Sequence, residues 1–506
     1  MRILSSRKFL LFSIGITVLL FLLDFTLYGP GISGDTPEYL SLAGDVYNLK
    51  FPHSPLYLPG FPVLVGFTAK LLAVKIFQAA ILWMALFYLV NLLFLYKITN
   101  YFYRLNKISK ESSYLLFFIM ISWWSFRIQK ATHADAMYFC LLILLTYYTV
   151  KSFVESKTKN FLVVGFVLAS MVITKYNSYV LVSIFGILLF LSDYDYKKRL
   201  TYFSLSILPP VTMIFLWKIL NGGFIYALNT NNYENKNFDV LDVFISLYRN
   251  ISDYGKTLVE IVINPIVGRY INDIVGLLIG LSTLVFLIYL GYKQRKNKLQ
   301  FVFIIFAFVY AVSLIFIQSM NLVSEINIRT LITFSFFAFL LIGLYFLSHK
   351  NKLFRTALFF ILLSNNFLIA GKWLSETSKR NSFKYEYVTK NDVVFQNKLF
   401  LKSIEDKAVM SNVSEQMMFH INYQKHVATF KTDRIFYKGK FEKLKADDVE
   451  KIANDLKICI ENEGVVVFSN SDSSNDKLIL GDLSTNKYCF HTINNLIIIS
   501  KSKLHL

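Results

Sequence analysis

Cysteine is scarce here. The chain has 506 residues and three cysteines, and no Cys/His set stands at zinc spacing. No glycine-rich stretch matches a phosphate-cradling loop, so a nucleotide site of that type is not expected. Charge is also sparse, at 17% of residues against 55% hydrophobic, with a mean hydropathy of +0.47. A soluble chain of this length carries more charge, so these values describe a multi-pass membrane protein. There is no internal repeat and no low-complexity block. The N-terminus has Arg2, Arg7 and Lys8 before an apolar run, but no small-residue cleavage site follows. That run is read as a retained anchor helix.

Acidic residues are few, and this gives a formal net charge of +20. Residues 1–370 hold 32 Lys+Arg against 16 Asp+Glu, while residues 371–506 hold 21 against 17. The excess therefore lies in the apolar part, where the positive-inside rule accounts for it, and no nucleic-acid partner is expected.

Apolar runs of spanning length fall near 9–28, 76–96, 112–126, 134–151, 161–175, 177–192, 200–220, 271–292, 299–319, 329–347 and 354–370. That makes about eleven transmembrane helices. Basic clusters come at every second connection: Lys97 to Lys110, Lys151 to Lys159, Lys197 to Arg199, Lys293 to Lys298, and Lys350 to Arg355. The N-terminus is then cytoplasmic and the tail extracytoplasmic, in a plasma (inner) membrane. Two domains are expected: a membrane domain over 1–370 and an extracytoplasmic α/β domain over 371–506. In the tail, 408–410, 426–430, 465–468, 478–480 and 495–500 read as strands, and 441–459 carries helical signals. Cys459 and Cys489 both lie in the tail, where a disulfide, in an oxidising compartment, and two free thiols both stay open.

The connections on the outer side are long and carry most of the chemistry. The first, from Gly29 to about Val74, begins with Gly34-Asp35-Thr36-Pro37-Glu38-Tyr39. A surface helix is expected from Thr36, and a second over 61–72. Asp35 and Glu38 read either as a helix cap with its capping-box partner or as working carboxylates. A long outer loop is expected over 221–270. Four more groups fall on the same side: His133 with Asp135, Lys175 with Tyr176, Arg269, and Arg329. Ionisable groups at membrane depth are costly and call for a reason. Each also has a plain reading: Lys175 and Arg329 as interface anchors, His133 as an ordinary interfacial histidine, Asp135 as a cap, Arg269 as a loop cation. Asp193-Tyr194-Asp195 matches the D-x-D pattern of metal-dependent sugar transferases. It abuts Lys197-Lys198-Arg199 on the opposite side of the membrane, and we read it as loop acid.

Taken in order, these segments resemble the GT-C glycosyltransferases that use polyprenyl-phosphate sugars, in particular the protein O-mannosyltransferase and lipid A aminoarabinose transferase group. Gly34 to Tyr39, followed by Leu42-Ala43, resembles that family's acidic motif after the first helix. Tyr57-Leu58-Pro59-Gly60-Phe61-Pro62 resembles its Pro-rich segment. Thr174-Lys175-Tyr176 resembles its Thr-Lys turn, and Arg329 resembles the arginine opening a late helix, although Thr330 follows here and no proline is near. The likeness covers residues 1–350. It implies a GT-C-like fold and an inverting transfer of a sugar from a polyprenyl-phosphate donor to a glycan, lipid or protein acceptor. It implies Asp35 as catalytic base and Lys175 and Arg329 as donor-phosphate ligands; Arg269, from its place on the same side, is a further candidate for the phosphate. Glu38, Tyr39, His133, Asp135 and Tyr176 would then bind substrate, and no metal or cofactor is expected. The competing class is a lipid or glycan transporter or flippase, which would favour charged or broken helices at the bilayer midplane and inverted repeats. A non-catalytic scaffold is the third.

Overall fold

A computed structural model describes residues 7–28, 36–52, 57–129, 133–221, 240–262, 270–320 and 326–348, apart from 106, 296 and 328. In the C-terminal part it describes 407–411, 428–429, 434–437, 440–443, 446–469, 474–484, 487–493 and 496–502, with a few single residues besides. Two compact units divide the chain. One comprises 1–33, 53–61 and 81–379; the other comprises 34–52, 62–80 and 380–506.

The first unit is helical. Its elements are α1 (Arg7–Tyr28), α4 (Ile76–Arg104, from residue 81), α5 (Lys110–Met120), α6 (Trp123–Gln129), α7 (Ala134–Glu155), α8 (Thr158–Val172), α9 (Ser178–Phe190), α10 (Tyr196–Asn221), α11 (Val240–Val262), α12 (Asp273–Gln294), α13 (Lys298–Met320) and α14 (Ile332–Ser348). Five of these are long and apolar enough to cross a membrane: α4, α7, α10, α12 and α13. The apolar stretches of α1, α8, α9 and α14 are shorter, so eleven complete spans are not seen among the described residues.

The run expected as one span over 112–126 is two short helices, α5 and α6. The chain turns at Ile121–Ser122, and the carbonyls freed there are taken up locally. The Ser122 hydroxyl donates to Phe118 O at 2.8 Å and the Trp124 indole N–H to Ile119 O at 3.1 Å. A break inside an apolar core is tolerated when its backbone groups are met in this way. Trp124 then stacks on Phe339 at 4.9 Å and stands edge-on to Phe139 at 5.8 Å, so α6 is locked between α7 and α14.

The region expected as an outer loop over 221–270 contains α11. Its charged residues Asp242, Arg249, Asp253, Lys256 and Glu260 fall on one helical stripe, which interrupts the apolar run that a hydropathy count looks for. Its other side packs on α12 backbone to backbone. A Cβ on Gly255 would lie 1.9 Å from Gly276 O, and one on Gly280 would lie 2.5 Å from Ile251 O. Small residues permit such close helix pairs in membranes. Helices α8 and α10 meet likewise, where a Cβ on Gly165 would lie 2.1 Å from Leu205 O.

The second unit contains α2 (Thr36–Tyr47) and α3 (Gly60–Leu71, from residue 62). These pack through Gly66, where a Cβ would meet Ala43 O at 2.3 Å, and Lys70 Nζ donates to Tyr47 O at 3.0 Å. Its α/β part has a five-stranded sheet in the order β2-β1-β5-β7-β6, made of β1 (Val409–Ser411), β2 (Ala428–Thr429), β5 (Val465–Ser469), β6 (Cys489–Ile493) and β7 (Leu496–Ser500). Strand β1 is parallel to β2 and β5, while β7 is antiparallel to β5 and β6. A separate hairpin joins β3 (Arg434–Tyr437) and β4 (Lys440–Lys443). Helices α15 (Ala446–Glu461) and α16 (Ser474–Ser484) cover one face, with Leu456, Ile460, Ile479 and Leu483 against Val466, Phe468 and Ile499.

Two local expectations are corrected here. The apolar triplet 478–480 is helical, not a strand: Ile479 and Leu483, one turn apart, are buried, while Leu478 is 63% exposed. The helical signal over 441–459 holds only from Ala446, because 440–443 pairs with 434–437. Cys140, Cys459 and Cys489 are all free thiols, and burial raises the Cys459 thiol above its ordinary value.

Candidate functional site

Three segments of the first unit meet at Asp135. Helix α7 begins beside it. His133 is the N-cap: its Nδ1 accepts the Asp135 backbone N–H at 3.1 Å. The same ring nitrogen lies 3.5 Å from Asp135 Oδ2. With the cap supplied by His133, the Asp135 carboxylate is released for other partners.

Those partners are two cations. Lys175 Nζ donates to Asp135 Oδ1 at 2.5 Å, and Arg329 Nε donates to Asp135 Oδ2 at 2.7 Å. Lys175 Nζ also donates to the Arg329 carbonyl at 3.2 Å and lies 5.4 Å from the centre of the Tyr138 ring. Its third ammonium hydrogen has no hydrogen-bond partner among the described residues. The side chain of Asp135 is 3% exposed, that of Lys175 18% and that of Arg329 42%. The carboxylate is thus shielded, Lys175 is half-buried and Arg329 is exposed. Together the three carry one surplus positive charge.

The local sequence explains each placement. Lys175 sits in the tight turn between α8 and α9, where Thr174 Oγ1 donates to Ser170 O at 2.6 Å and Lys175 N to Met171 O at 3.0 Å. The turn is also held from Gly60, whose N–H donates to Ile173 O at 2.7 Å. A Cβ at Gly60 would lie 2.8 Å from both Ile173 O and Thr174 Oγ1, so only glycine allows this approach. Arg329 lies in the turn before α14. Asn327 organises that turn, its Oδ1 accepting from Arg329 N at 3.0 Å and Thr330 N at 3.2 Å. The Thr257 hydroxyl of α11 donates to Ile326 O at 2.8 Å and fixes the same segment.

Beneath the ions lies a neutral layer that the sequence analysis did not single out. The hydroxyls of Tyr138 and Thr333 are 2.5 Å apart, Tyr310 donates to Thr330 O at 2.9 Å, and Asn177 Nδ2 donates to the Tyr310 hydroxyl at 3.2 Å. Tyr138 was findable, since it stands one turn after Asp135 on the same face of α7. Tyr310 had only its polarity inside an apolar run.

The other candidates are placed elsewhere. Asp35 and Arg269 lie outside the described residues. Glu38 and Tyr39 are on α2 in the second unit, half-buried and buried respectively. Tyr176 follows Lys175 but turns to Tyr179, with ring centres 5.9 Å apart, and burial raises its phenol above the ordinary value. In the D-x-D sequence, Asp195 serves α10: its carboxylate accepts the Lys198 N–H at 2.8 Å and pairs with Lys198 Nζ at 3.1 Å. These contacts hold Asp195 below the usual carboxylate range. Among the described residues, no three His, Cys, Asp or Glu side chains gather as a metal would need.

A buried carboxylate that brings two cations together leaves a net positive charge that can hold an anion. Arginine offers a planar fork and lysine a point charge, and both recognise phosphate.

No family model matches the chain, and no curated protein matches it. Two solved structures are similar to it over 98% of each chain, at 9% sequence identity. They are crystal structures of ArnT from Cupriavidus metallidurans, in the apo state (TM-score 0.45) and bound to undecaprenyl phosphate (TM-score 0.46).

Proposed function

We propose that this protein is a membrane glycosyltransferase that moves a sugar from a polyprenyl-phosphate donor to a glycan, lipid or protein acceptor on the outer side of the membrane. The observation that carries the reading is the Asp135–Lys175–Arg329 arrangement, in which one shielded carboxylate holds together a half-buried lysine and an exposed arginine. A phosphate tethered to a lipid tail must stay at the membrane surface, where hydration is poor and charge-assisted hydrogen bonds matter most. The surplus charge of the three residues matches the single charge of a phosphodiester donor.

The chemistry asks little beyond this. An acceptor hydroxyl attacks the anomeric carbon from the side opposite the phosphate, the C–O bond to phosphate breaks, and the sugar inverts. Phosphate leaves with the bonding electrons, and Lys175 and Arg329 stabilise the charge that develops on it. A base takes the acceptor's proton. Asp35 is assigned that role, on the family-like motif Gly34 to Tyr39, with Glu38 as the alternative.

The test is transfer from a synthetic short-chain polyprenyl-phosphate sugar. Asp35→Asn is expected to lower turnover by roughly 10²–10⁴-fold at normal expression. If Asp35→Asn turned over normally while Glu38→Gln did not, the base would be Glu38. If neither mattered, the reading as a base-assisted transferase would fail.

A further inference from the structure

Tyr310 lies in the middle of α13 and is 1% exposed. A hydroxyl buried that deeply costs stability unless it is bonded, and this one is bonded on both sides. It donates to the carbonyl of Thr330, the residue after Arg329, and accepts from the side-chain amide of Asn177, two residues after Lys175. One phenol therefore ties together the two segments that carry the cations. We infer that Tyr310 is a positioning residue that sets the gap between Lys175 and Arg329, and so the fit of the phosphate between them.

The inference rests on the proposed function. Asp135 also joins the two cations, but a bound phosphate competes with its carboxylate for their charge. The bonds of Tyr310 go to a backbone carbonyl and an amide, which carry no charge and offer the phosphate no cation to compete for. The spacing it sets therefore persists while the anion is bound. The neighbouring bond between Tyr138 and Thr333 ties α7 to α14 in the same layer, so the brace does not depend on the ions.

The experiment is equilibrium binding of a short-chain prenyl phosphate, and of the matching uncharged prenyl alcohol, to the purified full chain in detergent. Tyr310→Phe removes both hydrogen bonds; it is expected to weaken phosphate binding by roughly three- to tenfold, about the worth of one neutral hydrogen bond, and to leave alcohol binding within about twofold. Tyr254→Phe is the control: it too is fully buried, its hydroxyl has no hydrogen-bond partner among the described residues, and it should change neither. Lys175→Ala should weaken phosphate binding more than Tyr310→Phe. If Tyr310→Phe weakened both ligands equally, Tyr310 would serve only the fold. If it weakened neither while Lys175→Ala weakened the phosphate, the positioning role would be wrong and the functional reading would stand. If Lys175→Ala bound prenyl phosphate as the wild type does, the functional reading would fall, and the brace with it.

Discussion

Replacing Asp135 by asparagine removes one negative charge from between two cations, and the structure gives the consequence two opposite signs. Stability should fall. Asp135 accepts two charge-assisted hydrogen bonds with its side chain 3% exposed. Breaking a fully buried ion pair costs about 3–5 kcal/mol, but Lys175 and Arg329 are partly exposed, so water recovers part of it. Asparagine also keeps one acceptor oxygen. About 1.5–3 kcal/mol is expected, the range for hydrogen bonds to charged groups. Anion affinity should rise, because the surplus charge goes from one to two. A unit charge about 6 Å from a bound phosphate, at an effective dielectric of about 20, contributes about 3 kcal/mol. Exposure of Arg329 reduces this, and a gain of about tenfold remains a fair lower value. The assay is thermal unfolding of the purified protein in detergent, with and without a short-chain prenyl phosphate. Asp135→Asn should melt lower than wild type without ligand and gain more from ligand than wild type does. An unchanged melting temperature without ligand would refute the ion arrangement. A smaller ligand-induced gain than wild type would refute the charge accounting.

Two further outcomes follow from single contacts. Gly60→Ala places a Cβ 2.8 Å from Ile173 O and Thr174 Oγ1, so the turn that carries Lys175 must move; a cost of about 1–3 kcal/mol is expected, together with weaker prenyl phosphate binding, read by the same melting assay. Asp195→Ala should leave transfer unchanged, because Asp195 caps α10 and pairs with Lys198, and a loss of activity restored by added divalent metal would show that the D-x-D sequence had been misread.

What sequence made legible was the presence of chemistry at helix ends. Asp135, Lys175 and Arg329 stood out because charge near membrane depth is costly, and their convergence follows from each ending or opening a helix. Their pairing was not legible, since Asp135 and Arg329 are 194 positions apart and only the packing of α7, α8 and α14 joins them. The capping role that was the plain reading of Asp135 belongs to His133, whose Nδ1 accepts the Asp135 N–H. Long uniform spans such as α4 and α13 were easy to read. Helix α11 was not, since its charged stripe breaks the apolar run while leaving a face that packs on α12. The break between α5 and α6 was hidden because Ser122 and Trp124 satisfy the backbone without a proline or glycine.

The central claim is that Lys175 and Arg329 hold the donor's phosphate, and the direct measurement is steady-state transfer from a short-chain polyprenyl-phosphate sugar by Lys175→Ala, Lys175→Arg and Arg329→Ala in detergent. Lys175→Ala should lower kcat by roughly 10²–10³-fold, as expected for removal of one electrostatic contact to developing charge. Lys175→Arg should keep part of the activity, because the charge survives at a different reach. Arg329→Ala should raise the donor KM and lower kcat as well. Full turnover with unchanged donor KM in both alanine variants would contradict the account and leave the two cations as anchors for Asp135.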